Sequence, residues 1–219
     1  MNDTIPARRP LKTRNTKWAA TLAMWLLKAG VKPNQISIGS IFFAALAGVA
    51  FFYANHFTTV TAGWLYLAGA AGIQLRLLCN MLDGMVAVEG GLKTKTGELY
   101  NELPDRFADI LILIGAGYSN GNDMNCILAG WLAALLAVMT AYVRALGAAA
   151  GASQCFFGPM AKPHRMALLT LASITGAVFI WSNIQFNVIQ LALWLMIGGC
   201  GITILRRTRH IAQELELKK

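Results

Sequence analysis

The sequence predicts an all-α integral membrane protein: six transmembrane helices preceded by a short amphipathic helix lying along the membrane interface. Three observations carry that prediction. Of 219 residues, 56% are hydrophobic and only 13% charged, with a mean hydropathy of +0.52; a soluble domain carries about a quarter charged residues. Six apolar stretches reach the roughly 20 residues that a bilayer requires. The 19 lysines and arginines are confined to alternate connections and the helix parts beside them. The 21 glycines suit helices that pack backbone to backbone.

The elements follow in chain order. Residues 1–17, "MNDTIPARRPLKTRNTK", form a polar, basic arm with no apolar core, unlike a cleaved signal peptide. Residues 18–30, "WAATLAMWLLKAG", are amphipathic and too short to cross, so they read as the interfacial helix. A membrane domain spans 31–206, with segments at 34–54, 60–88, 97–118, 125–149, 163–182 and 186–205. Residues 207–219 form a tail. The second segment, Val60 to Val88, is roughly 43 Å long at about 1.5 Å per residue, so its end projects past a hydrocarbon core of about 30 Å.

Charge orients these segments. The turns "NHFTT", "YSNGND" and "WSNIQF" contain no lysine or arginine. Basic residues collect on the cytoplasmic side, which places both termini and the 89–96 and 150–165 loops there, in the cytoplasmic (inner) membrane. The same rule, with anionic membrane lipid as the partner, accounts for the net charge of +9 and the pI near 9.7. Nucleic acid is not expected as a partner, because no basic run is interleaved with aromatics. Cys79, Cys126, Cys155 and Cys200 form no C-x-x-C pair, so neither a disulfide framework nor a zinc site follows. No internal repeat is visible, which tells against a transporter.

Two helices carry acids where they leave the membrane. Arg76, Asn80, Asp83 and Ala87 share one face of the second segment at i, i+4, i+7, i+11 spacing. On the third, "GELYNELPDRFAD" sets Glu98, Glu102, Asp105 and Asp109 along a stripe, with Asn101 one turn before Asp105. Ionisable groups at membrane depth are costly and face interior cavities. Several acids without a matching number of bases suggest a hard cation such as Mg²⁺ beside phosphates. The bland alternative is that Arg76 and Arg106 pair with these acids to pin the two helices.

These residues resemble the CDP-alcohol phosphotransferases, whose signature is D-x-x-D-G-x-x-A-R, about eight residues, then G-x-x-x-D-x-x-x-D. Here "NMLDGMVAV", eight residues and "GELYNELPD" match at Asp83, Gly84, Ala87, Gly97 and Asp105. "KPNQIS" (32–37), "AYVRALG" (141–147) and "GPMAKPHR" (158–165) are similar to further family stretches. The resemblance implies a metal shell of Asn80, Asp83, Asn101 and Asp105, holding Mg²⁺ or Mn²⁺, with Asp105 as the catalytic base. It implies nucleotide contacts from Asn34, Asp83, Gly84, Ala87 and Gly97, and acceptor binding by Arg144, Lys162 and Arg165. CDP-diacylglycerol, a small alcohol acceptor and a homodimer are the partners it implies.

The chain departs from the signature at three positions. Asn80 and Asn101 replace two aspartates, and Val88 replaces the arginine. Each asparagine keeps a carbonyl oxygen and removes a negative charge. Glu102 or Glu98, on the same arc as Asp105, is the expected compensating metal ligand; Lys93 and Lys95 could serve the diphosphate. His164, where the family often has glutamate, reads as a loop cap. The reading is a transferase that moves a phosphatidyl group from CDP-diacylglycerol to a small alcohol, phosphorylated or not, and releases CMP. Alternatives are a CDP-linked headgroup donated to a lipid alcohol, and a weakly catalytic CDP-lipid-binding or scaffold relative.

Overall fold

The structure, a computed structural model, describes residues 16–92, 94 and 96–218, with Glu98 by its backbone alone. Most of the basic arm, Lys93, Lys95 and the Glu98 carboxylate lie outside the described residues. The described residues contain helices and no strand: α1 Lys17–Lys28, α2 Pro33–Ala54, α3 Thr59–Glu89, α4 Gly97–Gly117, α5 Met124–Ala149, α6 Lys162–Trp181 and α7 Val188–Leu217, with a 3₁₀ turn at Tyr118–Asn120. Every predicted segment is a helix. The last differs most, because "RRTRHIAQELEL" holds no glycine or proline and continues α7 to Leu217.

Local chemistry sets the starts. Pro33 stands at the first position of α2, where its missing N–H costs no bond, and the Gln35 side chain accepts the Lys32 N–H at 2.9 Å. Asp123 caps α5 by accepting the backbone N–H groups of Asn125 and Cys126, and Asn187 caps α7 through Gln190.

Five helices, α2, α3, α5, α6 and α7, are long and apolar enough to cross a membrane, and the chain is an integral membrane protein. The sequence predicts six crossings. The difference lies in α4, whose 21 residues include Glu98, Glu102, Asp105, Arg106 and Asp109. α1, at 12 residues, is too short to cross.

Packing closes a ring. α2 lies against α3 and α4, α3 against α6, α6 against α7, α7 against α5, and α5 against α4. Its core is alanine-rich, filled by Phe51, Ile73, Ile112, Leu113, Leu169 and Met196. Close approach depends on glycine. A methyl group on Gly48 would lie 2.5 Å from the Leu111 carbonyl oxygen, and one on Gly130 would lie 2.7 Å from Gly117 Cα. Thus α2 meets α4, and α4 meets α5, at backbone distance. α1 docks outside the ring through Ala19 and Ala23, against Ile36 of α2 and Met81, Leu82, Met85 and Val86 of α3. α3 and α4 have little direct packing. Polar side chains bridge them at one end, and that bridge is the site.

Candidate active site

The spacing that puts Arg76, Asn80 and Asp83 on one face of α3 turns the first two toward α4. Arg76 is fully buried. Its Nη2 donates to Asp109 Oδ1 at 2.7 Å, to Asp105 Oδ1 at 3.3 Å and to the Asp105 carbonyl at 3.2 Å. Asn80 Nδ2 donates to the same Asp105 Oδ1 at 2.5 Å. The other Asp105 oxygen, Oδ2, is ion-paired with Lys162 Nζ and lies 3.8 Å from Arg106 Nη2. Asp105 is therefore a buried carboxylate surrounded by donors.

A second layer holds that carboxylate in place. Asp109 Oδ2 accepts from Arg165 Nη2 at 2.8 Å, and both side chains are 1% exposed. Arg165 also donates to the Met160 carbonyl at 2.9 Å and to Thr140 Oγ1 at 3.3 Å. Arg207 of α7 donates to the Thr140 and Phe157 carbonyls, at 2.7 and 2.9 Å. Arg165 thus ties the first turn of α6 to α4 and α5, and Arg207 ties α7 to α5.

These groups border a cavity of about 630 Å³, within the range of small-molecule sites. Asn80, Asn101, Glu102, Asp105, Arg144, Lys162 and Arg165 all line it. Glu102 pairs with Arg144 at 2.6 Å and with Arg106 at 3.6 Å. Arg144 also donates to Gln154 at 3.3 Å and stands over the Phe156 ring, 5.2 Å from its centroid.

Asp83 lies beside the cavity rather than in its lining. It is 6% exposed, and its Oδ2 accepts the Ser37 hydroxyl of α2 at 2.6 Å. It remains close enough to Asp105 and Lys162 to feel their charges. Asn34, Gly84, Ala87 and Gly97 also lie outside the lining.

Several contributors escaped sequence reasoning. Trp18, Thr140, Phe156 and Arg207 line the cavity, and Ser37 holds Asp83. Only Ser37 carried a signal, as the hydroxyl residue closing "KPNQIS". Arg76 and Asp109 were visible as stripe members, and Arg76 does pair with acids of α4, yet the link from Asp109 to Arg165 was not visible.

The lining carries Arg106, Arg144, Lys162, Arg165 and Arg207 against Glu102 and Asp105, so the cavity suits anionic reactants. No group of three His, Cys, Asp or Glu side chains gathers among the described residues. The hard oxygens on offer are the Asp83 carboxylate, beside the cavity, and the side-chain oxygens of Asn80 and Asn101 in its lining, the donor chemistry that a magnesium-type cation takes.

No family model matches the chain. Inner membrane protein YnbA of Escherichia coli (strain K12) is 23% identical over 186 residues, 83% of this chain and 88% of that protein. Archaetidylinositol phosphate synthase of Pyrococcus horikoshii is 24% identical over 196 residues, 88% of this chain and 89% of that protein. Among solved structures, phosphatidylinositol phosphate synthase of Mycobacterium tuberculosis with CDP-DAG bound gives a TM-score of 0.71 at 22% identity, covering 90% of this chain and 94% of that one. The same enzyme in complex with manganese and citrate gives 0.74 at 20% identity, over 88% of each chain. At this identity the structural likeness establishes the fold.

Proposed function

We propose that this chain, which belongs to the CDP-alcohol phosphotransferase family, transfers a phosphatidyl group from CDP-diacylglycerol to a small alcohol and releases CMP. One observation carries the reading. A buried carboxylate, Asp105, stands at the wall of a basic cavity, with one oxygen fixed by Arg76 and Asn80 and the other facing the cavity cations. A fixed base beside a pocket for anions is what an alcohol needs to attack a phosphodiester.

The step is a displacement at phosphorus. The alcohol oxygen forms a bond to the phosphorus that bears diacylglycerol, its proton passes to Asp105 Oδ2, and the bond to the bridging oxygen breaks. That electron pair leaves with CMP. Asp83, with Asn80 and Asn101, would hold Mg²⁺ or Mn²⁺; when bound, the cation neutralises charge building on the phosphoryl oxygens. Asn34, Gly84, Ala87 and Gly97 would border the nucleotide. Arg144 and Arg165 flank the acceptor side, with Lys162 between them and Asp105. A guanidinium suits bidentate contact with an anionic acceptor.

In the membrane, α4 serves as the sixth crossing, its acids shielded by the ring, and α1 lies along the interface with Trp18 and Trp25 exposed. Lys28, Lys32, Arg206, Arg209 and Lys218 favour a cytoplasmic position for the site end and the C-terminal tail. The inner membrane is the expected location, as the name of the Escherichia coli relative has it. A homodimer is the expected assembly.

One observation favours a second reading, a CDP-lipid-binding relative with weak catalysis: every cavity acid is already paired with a cation. Product analysis separates the two. Purified protein in vesicles with CDP-diacylglycerol, Mg²⁺ and glycerol 3-phosphate, inositol, inositol phosphate or serine should yield one new phospholipid by mass spectrometry. Tight CDP-diacylglycerol binding without any product across the panel would support the binding reading.

A further inference from the structure

The four groups around Asp105 are all donors. Arg76 Nη2 is 3.3 Å from Oδ1, Asn80 Nδ2 is 2.5 Å from Oδ1, Arg106 Nη2 is 3.8 Å from Oδ2, and Lys162 Nζ is ion-paired with Oδ2. Asp83 is bonded differently: it takes a serine hydroxyl and its own helix backbone, with the Lys162 charge nearby but not paired to it. The two carboxylates therefore differ in their appetite for a cation. A divalent ion at Asp105 would face three positive side chains and one negative one. At Asp83 it would meet a carboxylate whose side-chain partner is a neutral serine hydroxyl.

Resting on the transferase reading above, we infer that the site binds a single divalent cation, on the Asp83 side, and that the Lys162 ammonium supplies the second positive charge, seated on Asp105 until a diphosphate draws it away. Three features suit Lys162 to this. It is the first residue of α6, so its Cα is fixed by the helix start while its four-carbon stem crosses to α4. Its side chain is 22% exposed at the cavity, against 0% for Arg76, and it is the closer cation on Asp105 Oδ2, since Arg106, 19% exposed, stands 3.8 Å away and also pairs with Glu102. An ammonium is also a compact point charge with rotatable donors, closer to a metal ion in this role than a planar guanidinium. Asn80 completes the arrangement. An amide N–H stabilises Asp105 in place of the negative charge that a second divalent cation would require.

Manganese counting by electron paramagnetic resonance tests this in the detergent-solubilised full chain, with CDP as the nucleotide probe. The wild type should hold one Mn²⁺ per chain at saturation, with an isolated-ion signal. N80D/N101D/K162M should hold two, with the broadened signal of a coupled pair. Lys162→Met should keep one Mn²⁺ yet weaken CDP binding about tenfold to a hundredfold, the worth of a hydrogen bond to a charged group, while Lys162→Arg should bind CDP within about threefold of wild type. Two Mn²⁺ or none in the wild type overturns the inference, as does unchanged CDP affinity in Lys162→Met. Should Lys162→Met fail to fold, the wild-type count and Lys162→Gln decide. A chain with one Mn²⁺ and lysine-dependent CDP binding that releases no CMP contradicts the transferase reading and supports the role of Lys162. A chain that releases CMP while holding two Mn²⁺ supports the transferase and overturns the inference.

Discussion

Replacing Asp109 by asparagine probes the layer beneath Asp105. Asp109 balances two buried guanidiniums, with Arg76 at 2.7 Å and Arg165 at 2.8 Å. Arg76 keeps a second carboxylate, Asp105, at 3.3 Å. Arg165 does not: it retains the Met160 carbonyl and the Thr140 hydroxyl, both neutral, and its Nε has no partner among the described residues. The loss therefore falls on one buried, uncompensated charge, which costs about 3–5 kcal/mol. For a chain of this size, each kcal/mol is roughly 2–4 °C of melting temperature, so a fall on the order of 10 °C is expected. Cys126, Cys155 and Cys200 are buried free thiols, and a thiol-reactive dye in detergent reports unfolding directly. Adding Arg165→Met should recover most of the loss, since removing both members of a buried pair is often close to neutral. A melting temperature for Asp109→Asn within about 2 °C of wild type would refute the reasoning.

Further outcomes follow from the same structure. Gly48→Ala should destabilise by about 1–3 kcal/mol through overpacking of α2 on α4, seen in the same thermal assay. Arg144→Ala should raise the acceptor KM by roughly tenfold or more, with kcat less affected, in steady-state kinetics with the acceptor found by product analysis. Ser37→Ala removes the Ser37 hydroxyl from Asp83 and should shift the Mg²⁺ concentration for half-maximal CMP release by about tenfold. Chelation of divalent cations should abolish CMP release, and Mg²⁺ should restore it.

Much of the fold was legible because a bilayer imposes coarse rules. Apolar length marked the helices, and segregated lysine and arginine marked the ends where they turn. The span at α4 was the exception. Length made it a crossing, but its four acids and Arg106 keep it below the apolarity of a membrane span. Glu102, Asp105 and Asp109 are tolerated because Arg76, Arg106, Arg144, Lys162 and Arg165 meet them from three other helices or their own. Such pairing joins residues more than 50 positions apart, as in Arg165 with Asp109 and Lys162 with Asp105, and periodicity within one helix cannot display it. The same limit hid the fate of Glu102. Helical arc made it a companion of Asp105 on α4, whereas the structure turns it to Arg144. The i+4 steps from Arg76 to Asn80 on α3 and from Asn101 to Asp105 on α4 are kept, because such steps are a property of the helix itself.

In the proposed function Asp105 takes the acceptor proton during a metal-dependent phosphatidyl transfer. CMP release from CDP-diacylglycerol in vesicles with Mg²⁺ and acceptor, wild type against Asp105→Asn, tests it most directly. The asparagine keeps the shape and the contact with Asn80 while removing the basicity. Loss of kcat by about 10²–10⁴ is expected for a general base. A variant that releases CMP at the wild-type rate would contradict the account.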